Sequence, residues 1–280
     1  VPGYRLVRSL GRGAFGAVWL AEQENTGKLV AIKFYSHAEG LDFTFLKREV
    51  EKLAALYTSR EIVQLLEVGW DASPPYYVME YLEQGSLEDR LRKGPLPEAD
   101  ALRILRAVAR ALAQAHNIGI LHCDLKPANV LLDADLRPRL CDFGQSRLTS
   151  EQRPSLGTFF YMAPEQADLH ALPDARWDVY ALGAMLYAML SGSAPYRTPD
   201  ARKLLSGNAT LIERLRLYRE LLHQAPSPVE ELRRQRVRID APLRELLSDC
   251  LSLDPEARPG SAQAVLDALK SREARRARRP

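Results

Sequence analysis

Lysine is scarce in this sequence: eight of its 39 basic residues are lysines, at 28, 33, 47, 52, 93, 126, 203 and 270, and the other 31 are arginines. Chemistry that needs an ammonium group therefore rests on few candidates. Cysteine is rarer still. Cys123, Cys141 and Cys250 are odd in number and form no CxxC pair, which excludes a disulfide framework and a cysteine zinc site and fits a reducing compartment. No apolar run approaches the ~18 residues of a membrane span. The opening VPGYRLV lacks the basic flank and apolar stretch of a signal peptide, so this piece is expected neither to cross a membrane nor to direct its own export. Charge of one sign is also lacking. The 39 bases against 36 acids leave +3, too little to argue for a nucleic-acid surface.

What is present is a globular composition, 46% hydrophobic and 27% charged over 280 residues. Single cores stop growing near ~250–300 residues, so one large domain or two lobes is expected. Strand-like runs at Tyr4–Ser9, Ala17–Glu22, Leu29–Tyr35, Ile62–Trp70 and Tyr76–Tyr81 fill the first part. One amphipathic helix interrupts them within Asp42–Tyr57, where Phe43, Leu46, Val50, Leu53 and Tyr57 recur at helical spacing. Beyond Gly85 the text turns helical, most periodically at Pro97–Ile118 and Trp177–Ser191. The pattern predicts a β-rich N-terminal lobe and a helical C-terminal lobe.

Gly11-Arg12-Gly13-Ala14-Phe15-Gly16 is a loop whose backbone can approach phosphates closely. A dinucleotide-binding reading needs a helix after the last glycine, but Ala17–Glu22 reads as a strand. A Walker A loop needs Gly-Lys-Ser/Thr, and Gly27-Lys28 is followed by Leu29. The returning strand places Lys33 in the apolar run Val30-Ala31-Ile32, where a charge wants an anionic partner or a path to solvent. Glu49 offers that partner, with Glu39 and Glu51 equally available as surface acids.

Further along stand His122-Cys123-Asp124-Leu125-Lys126-Pro127-Ala128-Asn129, Asp142-Phe143-Gly144, and Gly157-Thr158 followed by Tyr161-Met162-Ala163-Pro164-Glu165. With the glycine loop and Val-Ala-Ile-Lys, these resemble the signature set of the protein kinases, in order and spacing, from Tyr4 to Lys270. The chain resembles a eukaryotic-like (Hanks-type) serine/threonine protein kinase domain, and Pro164-Glu165-Gln166-Ala167 with the arginine-rich vocabulary is similar to the bacterial members. The resemblance implies an α+β, bilobal protein-kinase-like fold: a small antiparallel β-sheet N-lobe with one regulatory helix, and a larger, mainly α-helical C-lobe. It implies one domain over 1–280, with the N-lobe at about 4–82, the C-lobe at about 86–270 and a basic tail at 271–280.

The resemblance also implies roles. Lys33, oriented by Glu49, would hold the α- and β-phosphates of ATP. Asp142 and Asn129 would bind Mg2+, Asp124 would orient or accept the proton of the substrate hydroxyl, and Lys126 would steady the γ-phosphate. Leu10, Gly11, Gly13, Gly16, Val18 and Ala31 would cover the nucleotide from above and Leu131 from below. Met79 would be the gatekeeper, and Glu80 with Leu82 the hinge. Asp124 and Asp142 read in isolation are also ordinary cap or turn acids. Asp178 and the pair Glu165 with Arg258 resemble structural anchors. Implied partners are ATP and proteins presenting Ser or Thr, the chain itself included, and no nucleic acid. A pseudokinase-type binding scaffold is the alternative.

Two departures stand out. Kinases switched by loop phosphorylation carry arginine where this chain has Cys123, and a thiol offers no charge-assisted contact to a phosphate. Activity is therefore expected to depend little on phosphorylation of Thr149, Ser150 or Ser155. Cys141, beside Asp142, is expected either to fill apolar space or to face the nucleotide and react with an electrophile. The tail Ser271–Pro280 is similar to a juxtamembrane segment, implying a cytoplasmic kinase domain of a membrane-anchored protein. Its other reading is a solvated basic helix end or linker.

Overall fold

The computed structural model describes residues 1–13, 16–35, 44–143, 156–206 and 210–278. The β-branched and aromatic runs of the first part form five antiparallel strands: β1 (Tyr4–Gly13), β2 (Gly16–Gln23), β3 (Leu29–Tyr35), β4 (Leu65–Gly69) and β5 (Tyr76–Glu80), ordered β1-β2-β3-β5-β4. Strand alternation splits β3 between two environments. Val30 and Ile32 join Ala21, Tyr76 and Val78 in a small outer cluster, while Ala31 joins the main core together with Tyr77 and Met79. Lys33, two residues after Ala31, shares that inner side.

Helix α1 (Thr44–Ala55) follows β3 and buries Val50 and Leu53. Phe43 lies outside the described residues. Tyr57 departs from the expected apolar face and is 69% exposed, because the helix ends at Ala55 and the next residue, Leu56, takes the buried place. The expected run Ile62–Trp70 is also divided. Only Leu65–Gly69 joins the sheet, while the backbone at 61–63 pairs with the other lobe, through Val63 N–H to the Leu140 carbonyl at 3.0 Å and Leu140 N–H to the Glu61 carbonyl at 2.8 Å.

The second lobe holds α2 (Leu87–Leu91), α3 (Glu98–Asn117), the hairpin β6 (Val130–Leu132) and β7 (Pro138–Leu140), α4 (Leu156–Phe159), α5 (Ala175–Ser191), α6 (Pro199–Ser206), α7 (Leu211–Gln224), α8 (Pro228–Arg234), α9 (Ala241–Cys250) and α10 (Ala262–Ala277). Helix α5 is buried on every side from Trp177 to Leu190, the signature of a central helix. Its Gly183 permits the close approach of α9, since a Cβ there would stand 2.7 Å from the Cβ of Cys250. A part-buried ion pair fixes the segment before α5: Arg258 grips Glu165 with its two terminal guanidinium nitrogens at 2.7 and 2.8 Å.

Helix α10 carries its first tail arginine inward. Arg272 is 3% exposed and pairs with Glu98 at the start of α3 at 2.5 Å and with Asp240 at the start of α9 at 2.8 Å. Among the described residues no helix is long and apolar enough to cross a membrane.

Candidate active site

The site forms where β3, α1, the loop after α3 and the residues after β7 meet. Lys33 Nζ lies 2.8 Å from Glu49 Oε1 and 2.7 Å from Asp142 Oδ1, so one ammonium joins a carboxylate of each lobe. Glu49 is 2% exposed. A carboxylate so buried needs several donors, and it has them: besides Lys33, the hydroxyl of Tyr77 donates at 2.9 Å and the hydroxyl of Tyr35 donates to Oε2. Burial, more than the neighbouring acids, pushes both tyrosines far up, so they remain neutral donors.

Burial alone would lower Lys33, but Asp142 and Glu49 outweigh it and hold the ammonium charged, well above its ordinary range. Asp142 shows the complement. Desolvation would raise its carboxyl, yet Lys33 holds it down at about 2. Asp142 has φ +60, a left-handed conformation uncommon for a non-glycine residue. Its side chain keeps 45% exposure, in contrast to Glu49.

The loop between α3 and β6 is hung from α5. Asp178, wholly buried, accepts the backbone N–H of His122 at 2.9 Å and of Cys123 at 2.8 Å and pairs with His116 Nε2 at 2.8 Å. These contacts secure Cys123 at φ +62, and Gln166 adds a bond to its carbonyl at 2.9 Å. Asp124 follows immediately. Lys126 Nζ donates to Asp124 Oδ2 at 2.7 Å and to Thr158 Oγ1 at 3.1 Å, and the Asn129 side-chain amide donates to the Asp124 carbonyl at 2.9 Å.

The apolar residues come from five strands and the chain after β5. Register sets Gly11 opposite Val18, Val18 opposite Lys33, and Ala31 opposite Met79. Ala31, Met79 and Leu82 are buried, and Val18 and Leu131 pack partly buried against the same core. Leu10 is 36% exposed on β1, and a Cβ on Gly11 would meet nothing within 4 Å. Gly13 pairs with Gly16, whose φ of +144 and approach to the Phe34 carbonyl leave no room for a side chain. The Glu80 carboxylate accepts the Gln64 N–H at 2.9 Å, and the Glu80 N–H donates to the Gln64 carbonyl at 3.0 Å. Among the described residues none accepts the N–H of Leu82.

The protein kinase domain family matches residues 4–269. The chain belongs to the protein kinase family. Serine/threonine-protein kinase pkn2 of Myxococcus xanthus is 36% identical over 281 residues, covering 95% of this chain and 32% of that protein. Serine/threonine-protein kinase A of Synechocystis is 32% identical over 295 residues, 97% of this chain and 53% of that protein. Serine/threonine-protein kinase cds1 of Schizosaccharomyces pombe is 28% identical over 94% of this chain and 57% of that protein. The chain thus spans about a third to rather more than half of the relatives it matches.

The family uses ATP and a divalent metal, typically Mg2+, and this kinase domain's donor set suits both. Asp142 supplies carboxylate oxygen and Asn129 an amide side chain, hard donors for a hard cation. Among the described residues no group of three or more His, Cys, Asp or Glu gathers in a way that could hold a metal ion.

Cys141 differs from its reactive reading. It is buried, its Sγ donates to the Asn129 carbonyl at 3.3 Å, and burial raises the thiol well above its ordinary range. The Cys123 thiol is likewise pushed far up by burial and by Asp178. Thr149, Ser150, Ser155 and Gly144 lie outside the described residues.

Sequence reasoning missed Tyr35, Tyr77 and Lys52, and it named Thr158 only as part of the Gly157-Thr158 motif. Two of them carried a faint signal: Tyr35 lies at the i+2 position from Lys33 on one strand face, and Lys52 at i+3 from Glu49 on one helix face. Tyr77 required knowledge that β5 pairs with β3, which sets it directly opposite Lys33.

Proposed function

We propose that this domain transfers the γ-phosphate of ATP to serine and threonine hydroxyls of proteins, its own included. The observation that carries the reading is the Lys33 ammonium held between Glu49 and Asp142, a fixed cation beside a half-exposed carboxylate. Phosphoryl transfer needs positioning and charge neutralisation more than covalent help from the protein, and this arrangement supplies both.

In this reading Lys33 binds the α- and β-phosphates and Glu49 orients it. Asp142 and Asn129 would hold Mg2+, whose charge would offset that of the phosphates. Asp124 receives the proton of the acceptor hydroxyl at its carboxylate as the new oxygen–phosphorus bond forms and the bond to the departing ADP oxygen breaks. Lys126 steadies the γ-phosphoryl oxygens from its station between Asp124 and Thr158. Backbone groups of Glu80 and Leu82 bind the adenine edge, Met79 limits the depth of the pocket, and Leu10, Gly11, Gly13, Gly16, Val18, Ala31 and Leu131 enclose the ring and phosphates. The names of the relatives and the Asp-Leu-Lys-Pro-x-Asn loop support Ser/Thr acceptors. Membrane anchoring would come from segments outside these 280 residues.

Incubation with radiolabelled ATP and Mg2+, followed by phosphoamino-acid analysis, tests the proposal. Label on serine and threonine that disappears in Asp142→Asn is expected. Equal label in that variant overturns it in favour of a binding scaffold.

A further inference from the structure

One ammonium on α1 stands outside the phosphate machinery just described. Lys52, half-buried and three residues beyond Glu49, donates from Nζ to the Phe143 carbonyl oxygen at 2.8 Å. In a chain where 31 of 39 bases are arginine, this is one of eight lysines, and it turns a costly half-buried charge toward backbone. The carbonyl it holds belongs to the residue directly after Asp142, whose own backbone sits at φ +60. The charge of Lys52 also acts on the Cys123 thiol.

Glu49 and Lys52 lie on adjacent turns of one helix face. Glu49 is fixed by the hydroxyls of Tyr35 and Tyr77, and Lys52 is fixed by Phe143. Attachment at both points sets the rotation of α1 as well as its distance from the cleft, and distance alone would not bring the Glu49 carboxylate to Lys33.

We propose that Lys52 is a positioning residue for phosphoryl transfer: by gripping the Phe143 carbonyl it seats α1, and the backbone that turns Asp142, in the arrangement where Lys33 reaches both carboxylates. Tyr35 does the same work at the Glu49 end. The inference rests on the kinase reading above.

The test compares kcat, KM for ATP and melting temperature in Lys52→Met, Lys52→Arg, Tyr35→Phe and the exposed-helix control Lys47→Met. Lys52→Met and Tyr35→Phe are expected to lower kcat about tenfold with less change in KM, because misplacement is felt most in the transition state. Lys52→Arg, still a donor to the carbonyl, recovers most of the rate, and Lys47→Met matches the parent. Parental kcat in Lys52→Met overturns the inference, as does a loss of rate that merely follows melting temperature. If the parent transfers no phosphate, the kinase reading fails instead. Amide exchange over 44–55 then decides this inference separately: faster exchange in Lys52→Met than in Lys47→Met upholds it, and equal exchange overturns it.

Discussion

Lys33 and Asp142, 109 positions apart, meet through a 2.7 Å ion pair that joins the two lobes across their cleft. Removing the acid should cost far more activity than fold. Asp142→Asn is expected to lower phosphate transfer on the order of 10³-fold, the scale of losing one preorganised charge-stabilising group. Steady-state assays and circular dichroism on the same sample check both halves.

The same pair sets an acid limb. The Asp142 carboxyl is held at about 2, below its ordinary 3.8, so its contribution to stability is fully present above 3.8 and is lost as pH falls toward 2. Denaturant midpoints measured across that window should fall more for the parent than for Asp142→Asn.

Gly16 and Gly11 should respond differently to alanine. A Cβ at Gly16 would stand 1.8 Å from the Phe34 carbonyl, at a φ of +144. Gly16→Ala is expected to cost about 1–3 kcal/mol and to weaken nucleotide binding. Gly11→Ala, with open space around its Cβ, should leave the melting temperature near the parent's. Thermal melts with and without an ATP analogue distinguish the two.

Arg272 should behave as a latch between α10, α3 and α9. Its guanidinium is 3% exposed and serves both Glu98 and Asp240, so Arg272→Ala removes their buried cation, leaves them only the exposed Arg276, and should destabilise by about 2–4 kcal/mol. Arg276, 59% exposed and facing the same acids, should cost no more than about 1 kcal/mol. Urea titration of both variants checks the ranking.

The thiols should be inert in the fold. Cys141 and Cys250 are buried and burial raises all three thiols, Cys250 to about 12. Chloroacetamide at neutral pH is expected to leave the native protein unmodified and to label all three positions in urea, as read by intact mass.

The sequence alone determined the kinds of elements and the chemistry of the site. Strand alternation, helical spacing and punctuation are local properties, so β3, α3 and α5 were legible, and the loops containing Asp124 and Asp142 carried their chemistry in a few consecutive residues. Tertiary structure decided the partners. Ile62 reads as part of a strand, yet the backbone around it pairs with β7 in the other lobe. Tyr57 continues an apolar helical pattern that the chain abandons at Ala55. Cys141 could read as reactive until burial and the Asn129 carbonyl claimed its thiol. Arg272 lies in a run of arginines that reads as a basic tail from Ser271 onward, but Glu98, 174 positions away, takes it inward. Burial and charge pairing depend on distance in space, and separation along the chain does not reveal that distance.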